Sequence, residues 1–253
     1  MSETEMEQFL ISQGYLPRLD ARGEAAFHDA ARAGRMNVIA AYLAMDMEVD
    51  AGAGHKTALI AAVEGGRLAL IRYLLAAGAD LTARDRHGDT ALHTAVNWQQ
   101  IPALRLLIAH GAAIDTVNHG GYSPLNRAIV QDYDEIARLL LEAGADPNWQ
   151  PGPEDGQGAA GYVPALYVAA LKGNSEQTAM LLAAGADPGL GRDDEGRPCW
   201  LTAILDEHEE IAQQFLASGR ALDVANDRGW TPWMAACYKG QEDLARALEA
   251  AGA

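Results

Sequence analysis

Apolar side chains recur along this chain in short segments, and the segments come in pairs. Segments of a first kind include LIAAVEGG (59–66) and LHTAVNWQ (92–99), and each continues into a second apolar segment such as LALIRYLLAAGAD (68–80). Leu, Ile and Ala lie at helical spacing in the second segments. The pattern therefore predicts an all-α chain built from pairs of short helices.

The first segments return at a nearly constant interval. Seven of them can be aligned, and their starts are separated by 32, 33, 33, 41, 34 and 33 residues. A fixed period of this length is typical of stacked repeats. We therefore divide the chain into an N-terminal capping helix (1–20) and a single domain of seven repeats, which we place at 21–53, 54–86, 87–119, 120–160, 161–194, 195–227 and 228–253.

The residues that flank the segments have the chemistry of helix ends. Thr90, Ser123 and Thr231 stand at N-cap positions, and Pro124 and Pro232 follow at the first helical position, where the missing N–H costs nothing. Near the N-terminus of the chain, Ser2 and Glu5 have the spacing of a capping box. We expect the helix that begins there to cover the first repeat, and a polar last helix at 242–250 to close the other end.

Glycine marks the ends of the second helices, where a left-handed residue closes the helix without strain. These glycines are Gly78, Gly111, Gly144, Gly185, Gly219 and Gly252. Four repeats depart from the pattern: Asp46 replaces the glycine after a second helix, and Gln99, Asp132 and Glu207 replace the glycine that usually follows the first helix. The conformation of the last three turns is left open.

The repeats resemble the ankyrin repeat. The resemblance rests on the 33-residue period, on TALHTA (90–95), SPLNRA (123–128) and TPWMAA (231–236), and on Gly-Ala-Asp after the second helix. It implies an ankyrin-repeat solenoid of stacked helix-turn-helix units, with β-hairpin-like connecting turns and a concave face made of hairpins and first helices. It also implies that the role of the chain is to bind another protein.

The 41-residue interval contains an insertion, PGPEDGQGAAG (151–161), whose Gly-x-Gly-x-x-Gly spacing imitates a dinucleotide-binding turn. Such a turn needs a buried strand before it, and the preceding NWQPGPED has two prolines and no strand-like alternation. We interpret the insertion as an enlarged glycine-rich finger at a hairpin, either used in binding or neutral.

Composition and charge narrow the class of partner. The formal net charge is -16, which disfavours nucleic acid, because binding a polyanion depends on Lys and Arg. No apolar run approaches the length of a membrane span, so we predict a cytoplasmic protein, monomeric when free, that does not bind membranes.

Cys199 and Cys237 are predicted to be buried free thiols, and Trp200 and Trp233, at the leucine position of the motif, to be core residues.

Catalytic and metal sites are not predicted. His28 and His93 occupy the histidine position of the motif, where the resemblance implies a hydrogen bond to the neighbouring turn. His87 and His119 lie on successive hairpin tips, whose spacing of about 8–10 Å is too large for two ligands of one zinc ion. With no nucleophile motif or phosphate-binding loop in the sequence, we expect no enzymatic activity, no cofactor and no metal.

Positions that the motif leaves free are the candidates for contact with a partner. They lie at the hairpin tips, after the tip glycine, and at the end of each first helix, and aromatic residues recur among them. Such aromatic side chains are usual anchors of protein interfaces, although they could instead stack on neighbouring tips and only shape the groove. The predicted partner-binding residues are Arg86, His87, Asp89, Asn97, Trp98, His119, Tyr122, Gln131, Tyr162, Lys172, Asp194, Glu195, Arg197, Asp206, Arg228, Trp230 and Tyr238, and Val130, Leu171, Leu205 and Lys239 occupy the same kinds of position.

These observations favour a regulatory or inhibitory adaptor that binds a basic protein surface, for example that of a nuclease-like toxin or effector. Two alternatives stay open. One is an assembly scaffold with several partners. The other is a small-molecule-binding or catalytic protein with a pocket beneath the 151–161 finger.

Overall fold

The fold is that of a computed structural model, which describes residues 2–15, 21–52, 56–149, 163–191, 197–220 and 225–252. The chain divides into two compact units, Met1–Pro124 and Leu125–Ala253. All fifteen regular elements in the described ranges are α-helices, as predicted. The 151–161 finger, with its Gly-x-Gly-x-x-Gly spacing, lies outside the described residues.

The first unit contains one leading helix and then consecutive pairs of short helices. Each first helix packs against its own partner and against the first helix of the next pair: α2 contacts α3 and α4, and α4 contacts α5 and α6. The helices are α1 (Glu3–Ser12), α2 (Ala21–Ala33), α3 (Met36–Ala44), α4 (Ala58–Glu64), α5 (Leu68–Ala76), α6 (Ala91–Asn97) and α7 (Ile101–Ala109). Apolar residues of both helix types form its core, among them Leu59, Ile71, Leu92 and Leu104 at 0–1% exposure.

The second unit repeats the same arrangement. Helix α12 packs on α10, α13 and α14, and α14 packs on α15. The helices, the first of which begins at the last residue of the first unit, are α8 (Pro124–Val130), α9 (Asp134–Glu142), α10 (Ala165–Leu171), α11 (Ser175–Ala183), α12 (Cys199–Leu205), α13 (Glu209–Ser218), α14 (Pro232–Tyr238) and α15 (Glu242–Ala250).

The predicted helix ends are confirmed where the structure shows their bonds. The Thr90 and Thr231 side chains accept the backbone N–H of the third helical residue in α6 and α14, and Pro124 and Pro232 begin α8 and α14. Ser2 and Glu5 form the capping box of α1, which packs on α3. Thr57 caps α4 in the same way as Thr90 caps α6. The glycines predicted to close the second helices all have positive φ, between 66° and 93°.

The four residues that replace glycine keep the left-handed conformation. Asp46, Gln99, Asp132 and Glu207 have φ between 51° and 64°. Two of them gain a compensating ion pair: Asp132 pairs with Lys172 at 2.5 Å and Glu207 with Lys239 at 2.8 Å. The hydrogen bond from Lys239 lowers the pKa of Glu207. The stacking of the repeats therefore imposes the turn even where the residue disfavours it.

Replacing Gln99 by glycine is expected to raise the free energy of unfolding by about 0.5–1 kcal/mol. A side chain in the left-handed region costs about 1–2 kcal/mol, part of which is offset by the greater freedom of glycine in the unfolded chain. Chemical denaturation of purified protein measures the difference. Ala77→Gly is the control: Ala77 is the C-cap residue of α5 and has φ -80°, in the right-handed region, so the same change there should destabilise the protein. Destabilisation by Gln99→Gly would contradict the strain argument.

Two burial predictions in the last helix pair are wrong. Trp200 is 3% exposed, as expected, because α12 lies between α10 and α14. Trp233 is 38% exposed and Cys237 is exposed, although both occupy motif positions that are buried in other repeats. No later helix pair among the described residues covers α14, so its outer side faces solvent. Cys199 is buried, and both cysteines are free thiols, as predicted.

Candidate functional site

Three hairpin tips share one hydrogen-bonded turn. The first residue of each tip is Asp85, Asn118 or Asn226, and its side-chain oxygen Oδ1 accepts the backbone N–H groups two and four residues later, at 2.8–3.1 Å. The backbone N–H of the same Asp or Asn donates to the carbonyl of the residue four positions later, at 2.9–3.1 Å. Such side-chain to backbone bonds fix a tight turn locally. The backbone of each tip is therefore held in place, and the side chains between the two ends project from it.

In the first unit, a polar network joins successive tips. Asp89 accepts hydrogen bonds from the Asn97 and Asn118 side chains, at 3.0 and 2.7 Å. The backbone N–H of His119 donates to the His87 carbonyl at 2.9 Å. Arg84 donates to the carbonyls of Gly88 and Val117. Asp89 and Asn97, predicted to contact a partner, thus also hold the tips together.

The motif histidines bond the neighbouring turn, as the family resemblance implied. His93 is fully buried and its Nε2 lies 3.0 Å from the Tyr122 carbonyl, while His28 Nε2 lies 2.9 Å from the Ala51 carbonyl. A carbonyl can only accept, so Nε2 carries the proton in both rings. Nδ1 of His93 then accepts the Thr90 N–H. Burial lowers the pKa of both histidines, which favours the neutral ring.

A cleft of about 470 Å³ opens beside the third predicted repeat, and we call it the Trp98 cleft. Its lining combines five predicted residues, Arg86, His87, Asp89, Asn97 and Trp98, with Lys56, Ile60, Glu64, Asp85 and Thr94. Trp98, the C-cap residue that directly follows α6, is 56% exposed. The Lys56 ammonium and the Glu64 carboxylate form an ion pair at 2.5 Å inside the cleft.

The second unit has a smaller groove of about 280 Å³, which we call the Trp230 groove. Its lining residues are Arg197, Leu201, Leu205, Asn226, Arg228, Trp230 and Tyr238. The rings of Trp230 and Tyr238 meet edge to face, with centroids 5.3 Å apart and planes at 77°. Tyr238 is 71% exposed, so the ring pair is open to solvent on one side.

Comparison with known proteins identifies the fold family. A family model described as ankyrin repeats matches residues 2–85, 77–150 and 166–253, which together cover most of the chain. The chain belongs to the ankyrin repeat family. Ankyrin repeats are protein-interaction modules, and their fold is generally a non-catalytic binding scaffold.

Solved ankyrin repeat structures share the fold. The ankyrin repeat domain of Bcl-3, a member of the IkappaB protein family, has a TM-score of 0.72 and 24% identity over 88% of this chain and 97% of that chain. The human ASB11 ankyrin repeat domain has a TM-score of 0.62 and 22% identity over 90% of this chain and 97% of that chain. At these identities the likeness concerns the fold.

The remaining candidate contact residues of these ankyrin repeats are scattered. His119, Tyr122, Gln131 and Asp206 are exposed but line neither the Trp98 cleft nor the Trp230 groove. Lys172 donates to the carbonyl of Val130, the last residue of α8, at 3.1 Å and forms an ion pair with Asp132. Its ammonium group is therefore engaged at the C-terminal end of α8. Tyr162, Asp194 and Glu195 lie outside the described residues.

Several lining residues escaped prediction from the ankyrin motif. Lys56 and Glu64 are eight positions apart, and only the fold brings them together. Leu201 belongs to the core side of α12 by its pattern, yet it also forms the floor of the Trp230 groove. Asn226 could have been found from its place at the start of a tip, which Asp85 and Asn118 share.

The described residues contain no cluster of metal-ligating side chains and one deeply buried thiol. Within those ranges no group of three or more His, Cys, Asp and Glu side chains could hold a metal ion. Burial raises the pKa of the Cys199 thiol to about 12, so this cysteine stays protonated, and its Sγ donates to the Pro188 carbonyl. In the described part of the chain, no helix is long and apolar enough to cross a membrane.

Proposed function

We propose that this ankyrin repeat protein is a regulatory or inhibitory adaptor that binds a basic surface of another protein through its Trp98 cleft. The observation that carries the proposal is the exposure of Trp98. It is 56% exposed, whereas the preceding residues Ala91 to Val96 of the same helix are all buried. A large aromatic ring left in solvent beside a cleft is the kind of residue that dominates the energy of protein interfaces.

Hydrogen bonds preorganise the backbone on both sides of the cleft. Trp98 closes α6 and its N–H bonds the Thr94 carbonyl at 3.0 Å, which fixes its backbone. On the other side, the tip at Asp85 is closed by its own hydrogen bonds, and Asp89 is held by Asn97 and Asn118. Little ordering is then needed on binding, so less of the interaction energy is lost to conformational entropy.

Charge favours a basic partner. Three carboxylates line the cleft, those of Glu64, Asp85 and Asp89, against the cations Lys56 and Arg86. Lys56 and Glu64 neutralise each other at 2.5 Å, which leaves Asp85 and Asp89 against Arg86 and an excess of one negative charge. The chain as a whole carries -16, which would steer a positively charged protein toward it and repel nucleic acid and anionic lipid surfaces. A toxin or effector in the cytoplasm with a positively charged surface would fit this charge, and binding to this protein would cover that surface.

Replacing Trp98 by alanine is expected to weaken partner binding by about 30-fold or more, which is the effect of losing one interface hot spot. The partner is first captured from the native host on the immobilised protein, identified, purified and titrated by calorimetry. Tyr73→Ala is the matched control, since Tyr73 is 37% exposed on α5 of the same unit but does not line the cleft. The Tyr73→Ala variant should bind the partner with the same affinity as the unchanged protein.

Salt provides the second measurement. Raising the salt concentration from about 0.1 M to about 1 M shortens the Debye length from about 10 Å to about 3 Å and should weaken the complex. A neutral or acidic partner, salt-insensitive binding, or equal effects of Trp98→Ala and Tyr73→Ala would overturn the proposal. Capture of several unrelated partners that all tolerate Trp98→Ala would indicate an assembly scaffold instead.

A further inference from the structure

The Trp230 groove differs in chemistry from the rest of this acidic chain. Acidic residues outnumber Lys and Arg by 35 to 19, yet among the described residues the ionisable side chains that line the groove, apart from the tyrosine, are the two arginines Arg197 and Arg228. Arg228 is exposed, and its side chain makes no ion pair within the described residues. A groove lined by arginine in a protein of net charge -16 favours an occupant that carries carboxylates.

The floor and wall of the groove are apolar. Leu201 and Leu205 of α12 lie along the floor, and the Trp230 and Tyr238 rings form the wall. Leu205 is only half-buried and Tyr238 is 71% exposed, so apolar surface remains in contact with water. Covering this surface with one aliphatic side chain would release that water and stabilise a complex.

The groove is also preformed. The Trp230 N–H donates to Asn226 Oδ1 at 2.9 Å, and the Asn226 N–H donates to the Trp230 carbonyl at 2.9 Å. The Arg228 N–H donates to the same Oδ1 at 2.9 Å. One asparagine therefore fixes the backbone of both the aromatic wall and the arginine beside it, so the two recognition elements keep their spacing when the groove is empty.

We propose that the Trp230 groove binds a short acidic peptide segment of a protein, separately from the basic surface proposed for the Trp98 cleft. One aliphatic side chain of the segment sits on Leu201, Leu205 and the two rings. Carboxylates flanking it accept hydrogen bonds from the guanidinium of Arg228. Aspartate or glutamate fits better than the phosphates of a nucleic acid, because a long polyanion would meet the net charge of -16.

Four seven-residue fluorescent peptides test the proposal by anisotropy at about 0.15 M salt, where the Debye length of about 8 Å screens the distant acidic surface. The first has a central leucine flanked by glutamates. The others replace the glutamates by glutamine, the glutamates by lysine, or the leucine by glycine. The acidic leucine peptide should bind at least tenfold more tightly than each of the others. Equal affinities, or preference for the lysine peptide, would overturn the proposal.

Charge reversal locates the site. Arg228→Glu should weaken the acidic leucine peptide at least tenfold, and Tyr238→Ala should weaken it without changing the preference for acid. Arg246→Glu is the matched control, because Arg246 lies on α15 outside the groove and pairs there with Glu242. Equal effects of the two arginine variants would overturn the proposal, and unchanged thermal unfolding shows that each variant is folded. Because the lysine peptide is itself basic, the four peptides are also titrated against Trp98→Ala, in which the cleft proposed for a basic partner is impaired. A preference for the acidic leucine peptide that persists there is independent of the Trp98 experiment.

Discussion

Replacing Leu140 by alanine should lower the free energy of unfolding by about 2–5 kcal/mol. Leu140 lies on α9 with 0% exposure, on the same buried face of the helix as Ile136 and Ala137. The substitution removes buried methyl groups and leaves a cavity, because the surrounding helices relax only partly. Denaturant unfolding followed by circular dichroism measures the loss, and the midpoint should fall with it.

Leu171→Ala makes the same chemical change in the same unit and serves as the control. Leu171 ends α10 with 51% exposure, so its truncation should alter stability by no more than about 0.5 kcal/mol. Equal stability of the two variants would contradict the burial of Leu140 on α9. Because Leu171 is also a candidate contact residue, this variant can be tested directly for partner binding.

Replacing His93 by alanine should cost about 2–4 kcal/mol, through a cavity and the loss of the ring's hydrogen bonds to the Tyr122 carbonyl and the Thr90 N–H. The ring is fully buried and connects the start of α6 to the next hairpin tip, through Thr90 on one side and Tyr122 on the other. His87→Ala is the control, since that ring is exposed on the neighbouring tip. Thermal and denaturant unfolding compare the variants, and a harmless His93→Ala would contradict the bridging role.

Acid should act on the same contact. Burial lowers the pKa of His93 and His28 below the usual 6.5, so the folded protein keeps both rings neutral. The unfolded chain binds protons at about pH 6.5 that the folded state excludes, and stability therefore falls as the pH drops from about 6.5 toward the lower folded pKa values. The unfolding midpoint measured from pH 7.5 to 5.5, at about half-unit steps, should fall less steeply in His93→Ala, which retains only the contribution of His28.

Much of the fold could be predicted because the residues that begin and end each helix lie within the repeat itself. Thr90 and Thr231 cap helices through bonds to residues three positions away, and Gly78 or Gly144 closes a helix through its own dihedral angle, so local sequence suffices. The turn at Gln99 could not be decided in this way. Its left-handed conformation opposes the residue's own preference and follows from the packing of neighbouring helices.

Burial and charge at the surface depend on what lies next to a residue in space. Trp200 and Trp233 occupy the same motif position, but α12 packs between α10 and α14, whereas no helix pair follows α14 among the described residues. The predicted Arg228, Trp230 and Tyr238 do meet in one groove, but its positive lining contrasts with the net charge that the sequence displays. The ion pair of Lys56 and Glu64 could likewise not be predicted from the sequence, because the fold brings these two residues together.

The hairpin tips carry an evolutionary consequence. The turns at Asp85, Asn118 and Asn226 are each closed by that residue's bonds to its own backbone. The first two tips are joined by the main-chain bond from His119 to His87 and by the side-chain bond from Asn118 to Asp89. The side chains of His87 and His119 themselves take no part in these two bonds. Mutation can exchange recognition chemistry at one tip while the scaffold stays constant, so descendants of this chain could acquire new binding specificities one tip at a time.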